Sequence, residues 1–306
     1  MSDFAIGIDL GGTRIKSARF RLPDGEFIDS LMTPTRDGER EGGLPAFAHG
    51  VRQLVQQHEQ AEGQRARAVG ISAPGLAHRD GRAIHSMPGK LLGLEGLLWA
   101  ELLDHPGARV INDAHAALLG EVWRGAAKGR EHVVMLTLGT GVGGAVLADG
   151  RLLQGALGRA GHLGHLSLDP RGPLDICNTP GSLELAIGNA TIGERSGGRY
   201  RSTHDLIAAV RGGDGDATRL WHDSLQALAA GLVSLINAFD PELILIGGGI
   251  ANAWDLIEPE LNRHLDIFEW RPGGYRVPIR HATLGEWAGC YGAVHWALQA
   301  QPDDSP

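Results

Sequence analysis

Apolar residues recur along this chain in two rhythms, and the changes between them mark its elements. FAIGIDL (4–10) is an almost unbroken apolar and β-branched run, which predicts a buried strand. After the turn GGT, RIKSARFRL alternates polar with apolar and predicts a second strand that stops at PDG. Residues 44–60 place apolar side chains at helical spacing, ARAVGIS reads as a strand, and PG ends it. A short helix near 95–103, a strand at ARVIND and a helix from Ala114 to about Trp123 follow.

The opening theme then returns. HVVMLTLGTGVGGAVLADGRLL is again an apolar strand, a Gly/Thr turn, a second strand and a DG turn. IDLGGTRIKSARFRLPDG and LTLGTGVGGAVLADG can be laid over each other, an internal duplication about 130 residues apart. Two similar lobes facing one interdomain cleft are expected. Beyond them come a long helix at roughly 217–239, a strand in LILIGGGI, a helix near 253–265, a strand at VPIRHATL and a closing helix from Trp287 to Leu298. Alternating strands and helices make this an α/β protein. The closing helix is expected to pack back on the first lobe. The predicted domains are therefore 1–112 plus about 288–306, and 113–287, with the boundary crossed twice.

Composition narrows the function. At 306 residues the chain has room for two domains, and a net charge of −8 opposes binding to nucleic acid or to an acidic membrane, which needs a basic surface. No apolar run reaches membrane-spanning length and no basic-then-apolar leader opens the chain, so a soluble cytoplasmic protein is expected. Cys177 and Cys290 are the only cysteines, which excludes a disulfide framework and a four-thiolate zinc cluster. The 46 glycines, roughly twice the usual share, gather in GG, GTGVGG and GGG, as expected where backbone comes close to a ligand.

Three of these turns are candidate phosphate sites. In Asp9-Leu10-Gly11-Gly12-Thr13 the backbone N–H groups suit a phosphate and Asp9 suits its magnesium ion through water; a plain tight hairpin is the alternative. The stretch is neither a Walker loop nor a dinucleotide fingerprint, because a strand follows it. Gly139-Thr140-Gly141 stands in the duplicate position, and Gly247-Gly248-Gly249 ends a strand before a helix. Asn112-Asp113 sits between strand and helix, where it reads either as a helix cap or as a carboxylate that takes the proton of an attacking hydroxyl; both hold if Asn112 and the backbone supply the cap. His162, His165, Asp175 and Cys177, in GRAGHLGHLSLDPRGPLDICNTPGSLE, are residue types that bind zinc, and spacing alone does not decide whether they do.

In this order, DLGGTRIK, SAPG, INDAHAALLGE, LGTGVGGAVLADG, GHLGH, PGSLE and LILIGGG resemble the ROK family of sugar kinases and related repressors, on the duplicated actin and hexokinase type of fold, from about residue 4 to 298. The resemblance implies ATP-dependent phosphorylation of a hexose or amino sugar, usually at the 6-hydroxyl. It would make Asp113 the catalytic base, with Gly75, Asn112, His165 and Glu184 at the sugar. Asp9, Gly11, Gly12, Thr13, Gly139, Thr140 and Gly141 would serve the β- and γ-phosphates with Mg²⁺. Gly248 and Gly249 would lie near the adenosine. Lys16, alternating on the second strand, reads either as a phosphate contact or as part of a solvated strand face.

Two departures matter. Most relatives carry C-x-C-G-x-x-G-C-x-E, whose thiolates hold a structural zinc with a histidine. Here the stretch is D-I-C-N-T-P-G-S-L-E at 175–184, so Asp175 and Ser182 replace two cysteines and only Cys177 and His165 remain. Structural zinc is not expected, since a hydroxyl is a poor zinc ligand; a residual His165/Asp175/Cys177 site is the alternative. His162 stands where the family has a glutamate that meets the sugar. An imidazole offers a donor and an acceptor where a carboxylate only accepts, so a role in substrate choice is expected, against a solvated loop histidine. Ser86 and Lys90 are candidate stand-ins for a further sugar contact, and His115 either faces the site or lies on the helix surface.

Three other readings compete. A sugar-responsive repressor needs a DNA-reading module of roughly 60 to 80 residues ahead of a glycine turn that here begins at position 11. A non-catalytic sugar binder would not need Asp113 and both phosphate turns. An ATPase of the actin type would not need GHLGH and PGSLE. The expected partners are sugar and ATP, with a homodimer as the default assembly.

Overall fold

Strand β1 (Phe4–Leu10) forms the centre of a five-stranded sheet in the computed structural model, which describes residues 3–299. It pairs antiparallel with β2 (Arg14–Arg21), which pairs with β3 (Glu26–Pro34). A ribbon of β4 (Arg40–Glu41) and β5 (Leu44–Pro45) leads into α1 (Ala46–Glu62). Strand β6 (Ala68–Ala73) runs parallel to β1; a second ribbon, β7 (Leu76–Ala77) and β8 (Ile84–Ser86), and the short α2 (Trp99–Leu102) precede β9 (Ala108–Asn112), parallel to β6. Helix α3 (Asp113–Arg124) follows at once. The sheet order is β3-β2-β1-β6-β9.

The same plan is then repeated. β10 (Val133–Leu138) pairs antiparallel with β11 (Val142–Ala148), and β11 with β12 (Arg151–Leu152). Helices α4 (Leu183–Ile187), α5 (Ile192–Arg195), α6 (Thr203–Arg211) and α7 (Gly215–Phe239) intervene before β13 (Leu243–Gly247), α8 (Trp254–Phe268) and β14 (Ile279–His281). With β13 and β14 parallel to β10, the order β12-β11-β10-β13-β14 matches the first sheet strand for strand. The chain ends its described part with α9 (Ala288–Gln299).

Contacts divide the chain into two units. Unit 1 holds the residues through Gly129, Gln154–Ala160 and the chain from Thr283 on; unit 2 holds Arg130–Leu153 and Gly161–Ala282. Helix α3 thus belongs with unit 1, whereas the sequence pattern put the boundary at 113. The reason lies in its packing. A Cβ on Gly120 of α3 would fall 2.4 Å from the Ala288 carbonyl oxygen, and one on Gly292 of α9 would fall 1.6 Å from that of Ala116, so the two helices meet backbone to backbone.

In unit 1 the period of two along β1 divides the core. Phe4, Ile6 and Ile8 face α1 with Phe47, Val51 and Leu54, while Ala5 joins Ala18, Ala68, Cys290 and Val294 on the α9 side. In unit 2, Val134, Leu136 and Leu138 bury against Leu225, Leu228 and Leu232 of α7, whose N-terminus is capped by Asp214 accepting from the N–H groups of Asp216 and Ala217. The edge strand β3 was not anticipated: its side chains are mostly half-exposed, so it lacks the apolar run that marks β1. No helix among the described residues is long and apolar enough to cross a membrane.

Candidate functional site

Register explains why the acids of unit 1 gather. Lys16, Asp9, Ser72 and Ile111 lie side by side across β2, β1, β6 and β9, so the residues just past this row, Gly11 to Thr13 and Asn112–Asp113, leave the sheet at one end. It is the C-terminal end of the parallel strands, where open α/β sheets bind ligands. Asp9 is held on both oxygens: Lys16 Nζ lies 3.0 Å from Oδ2 and the Ser72 hydroxyl donates to Oδ1 at 3.0 Å. Lys16 also donates to the Glu286 carbonyl at 2.6 Å, so its ammonium group is shared between Asp9 and that carbonyl.

The Gly11–Thr13 turn is a real hairpin turn, closed by the Gly11 N–H on the Arg14 carbonyl at 3.1 Å. Thr35, just past the end of β3, pins it, donating its hydroxyl to the Gly11 carbonyl at 2.6 Å and its N–H to that of Thr13 at 3.0 Å. Gly12 and Thr13 remain exposed, with open space where a Gly12 Cβ would go. Nothing in the sequence singled out Thr35. Ser72 lies in the SAPG motif, whose hydroxyl was not given a role.

Asn112 and Asp113 divide their labour. Asn112 caps α3, its Oδ1 accepting from the N–H groups of Ala114 at 3.0 Å and His115 at 3.1 Å, while its Nδ2 donates to the Gly75 carbonyl at 3.0 Å. Gly75 adopts φ +98°, and a Cβ there would sit 2.5 Å from the Ser86 carbonyl oxygen, so glycine is required to set Asn112. Asp113 accepts from the Ala114 N–H at 2.8 Å and keeps side-chain surface open to solvent. The surrounding protein disfavours its charge, the Asp9 carboxylate repels it, and the pull of the Ala114 N–H is weaker; together these push it up to about 6. His115 is buried and its Nε2 meets the Ala160 carbonyl at 2.9 Å, which assigns it to packing within unit 1. Ser86 lies on β8 and Lys90 is exposed beyond it.

In unit 2 the duplicate turn is built differently. Thr137 occupies the place of Asp9, one residue before Leu138 as Asp9 is before Leu10, so the acid was not duplicated. The Gly139 N–H closes the turn on the Gly141 carbonyl at 2.9 Å, and the N–H groups of Asn189 and Ala190 bind the carbonyls of Gly139 and Thr140. Glu184, in the first turn of α4, reaches back to this loop and takes the Val142 N–H on Oε2 at 2.8 Å. A Cβ on Gly141 would meet that oxygen at 2.3 Å. Gly248, at φ +85°, lies against the end of β10 with its Cβ position 2.4 Å from the Leu138 carbonyl oxygen, and Gly249 begins the short helix that follows. The Gly139–Gly141 turn, Glu184 and the Gly247–Gly249 turn thus form one group.

The GHLGH loop carries its histidines unequally. His162 is half-buried at the start of the single turn Leu163–His165. His165 Nδ1 meets Asp175 Oδ2 at 2.7 Å and its Nε2 meets Cys177 Sγ at 3.5 Å. Burial and the carboxylates of Asp175 and Glu184 push the Cys177 thiol up. Asp175 pays for burial but is held down at about 2 by His165, the Thr179 and Cys177 N–H groups and the Ser182 hydroxyl. Among the described residues, His165, Asp175 and Cys177 are the group with metal-ligand spacing, their donor atoms within 4.8 Å of one another.

The model of the ROK family matches residues 5–300. The chain belongs to the ROK family. A glucokinase of Thermotoga maritima is 33% identical over 271 residues, covering 82% of this chain and 84% of that protein. An N-acetylmannosamine kinase of Citrobacter koseri is 31% identical over 307 residues, covering 97% and 99%. The crystal structure of a ROK family glucokinase from Streptomyces griseus in complex with glucose and AMPPNP superposes with a TM-score of 0.76 at 26% identity, covering 97% of this chain and 99% of that one. With its matched pair of sheets, this ROK chain has the duplicated actin and hexokinase type of fold.

Proposed function

We propose that the protein is an ATP-dependent sugar kinase that phosphorylates a hexose or amino sugar at the 6-hydroxyl, with Asp113 as general base. The observation that carries this reading is the position of Asp113. It is the first residue of α3, released from capping by Asn112, open to solvent, and pushed up to about 6. A carboxylate so poised accepts the hydroxyl proton as the sugar oxygen bonds the γ-phosphorus and the bond to the β-phosphate oxygen breaks, releasing ADP. Two relatives named for sugar phosphorylation, and a neighbour holding glucose with an ATP analogue, support it.

The remaining roles follow the same reading. Gly11, Gly12 and Thr13, with Gly139, Thr140 and Gly141, offer backbone N–H groups to the β- and γ-phosphates, and Gly248 and Gly249 border the adenosine. Both Asp9 oxygens already have protein donors, a set that fits a magnesium ion reached through water rather than bound directly. When bound, that ion neutralises charge building on the phosphates. Lys16 balances Asp9 and adds positive charge at the same turn. Gly75 and Asn112 shape the sugar site, Glu184 and His165 bind hydroxyls, and His162, in place of a glutamate, tunes which sugar enters. A cytoplasmic homodimer completes the reading.

A coupled ADP-release assay over hexoses and N-acetylated hexosamines tests it. Sugar-dependent ADP formation is expected, lost by about 10²- to 10⁴-fold in Asp113→Asn while ATP binding persists. Sugar-independent hydrolysis, or undiminished turnover in the variant, overturns it.

A further inference from the structure

In an exposed loop, the side chain of Asp175 is fully buried, with 0% of its surface accessible. Around it the chain turns tightly. The Asp175 N–H donates to the Thr179 carbonyl at 3.0 Å, the Asn178 N–H donates back to the Asp175 carbonyl at 3.0 Å, and Asn178 takes a left-handed φ of +63°. The turn directs two N–H groups inward, Cys177 at 2.8 Å and Thr179 at 2.9 Å, both to Oδ1. Oδ2 receives His165 Nδ1 at 2.7 Å from the Leu163–His165 turn. The Ser182 hydroxyl, at the cap of α4, approaches the same carboxyl. One carboxylate therefore joins three segments lying between His165 and Ser182.

We propose that the Asp175 carboxylate, rather than a metal ion, is the organising centre of this loop and the positioning residue for His165. The spacing of His165, Asp175 and Cys177 would admit a cation, yet both Asp175 oxygens are filled by hydrogen-bond donors. A cation would have to displace them, and the next side chain toward the group is a hydroxyl, a poor ligand for zinc. An ionised carboxylate only accepts, so His165 must present Nδ1–H to it. In the neutral ring this leaves Nε2 as an acceptor, which the weak Cys177 S–H meets at 3.5 Å and which a stronger hydroxyl donor can take over.

The organising role stands apart from the function proposed above; only the consequence for sugar rests on that reading. The test uses the full chain, amide hydrogen exchange at Cys177 and Thr179, and the ¹⁵N shifts of the His165 ring. Treatment with a chelator, or addition of zinc, is expected to leave exchange unchanged. Asp175→Ala is expected to speed it by about tenfold or more, the scale of one charge-assisted hydrogen bond. Asp175→Asn, which keeps shape and an acceptor for the two amides but presents an N–H₂ group to His165, is expected to show slower loosening and a His165 ring moved away from its Nδ1–H form. Should Asp175→Ala fail to fold, the Asp175→Asn ring shifts decide. Stoichiometric zinc whose removal loosens these amides overturns the proposal, as does a His165 tautomer indifferent to Asp175→Asn. If the sugar reading also holds, Asp175→Asn raises the sugar KM more than it lowers kcat.

Discussion

Asp113 gives up its proton at the expense of the fold. Its value of about 6 lies above the ordinary 3.8, so the folded protein binds this proton more tightly than the unfolded chain does. The stability this group contributes is therefore present at low pH and is lost as pH rises from about 4 through 6. Asp113→Asn, free of that penalty, is expected to melt at a higher temperature than the parent at pH 7, with the gap closing near pH 4; calorimetry at the two pH values checks it. If the proposed function holds, activity has the opposite slope, falling as pH drops through about 6 because the base becomes protonated. At Gly141 the effect is purely geometric. Gly141→Ala would push against Glu184 Oε2, the movable end of a side chain, so the expected outcome is an unchanged melting temperature and, if the proposed function holds, a raised sugar KM. Asn112 and Asp113 were legible in the sequence because capping is local, and the turn residues because glycine announces itself. Thr35 and the Thr179 N–H that holds Asp175 were not, since each acts through contacts that the chain order does not reveal.

At the scale of elements, the glycines that let α9 approach the sheet are as decisive as any apolar residue. A Cβ at Gly70 in β6 would stand 2.0 Å from the Ala293 carbonyl oxygen, backbone against side chain with nothing free to move. Gly70→Ala is expected to cost ~3 kcal/mol or more, measurable by denaturant unfolding. Glu121 works at the other end of the same packing. Buried in α3, it accepts the N–H groups of Ala126, Thr283 and Leu284 and the Thr283 hydroxyl, fixing the chain where it re-enters unit 1. Glu121→Ala would strand these donors and is expected to cost ~3 kcal/mol or more, by the same measurement. Sequence periodicity found α3 and α9 but could not assign α3 to its unit, because that assignment depends on Gly120 meeting a helix that arrives some 170 residues later. Strands β1, β2, β10 and β11 were readable because their neighbours bury them; β3, at an edge, was not.

For the whole molecule, the duplication visible in the sequence became two sheets of identical strand order, while the chemistry diverged: Asp9 in one turn, Thr137 in its counterpart. If the proposed function holds, an accepted sugar with AMPPNP at about 100 times their Kd stabilises the fold by about 2.7 kcal/mol for each site filled, seen as a rise in melting temperature. The placement of α9 also bears on synthesis. Ala5, Ala18, Phe20 and Ala68 belong to the first quarter of the chain, but Cys290, Val294 and Ala297 are what cover them. A ribosome that has made the whole of unit 2 has still not supplied that cover. The second sheet can therefore settle while the first waits half-dressed, an interval in which a chaperone would find its apolar face before the last helix does.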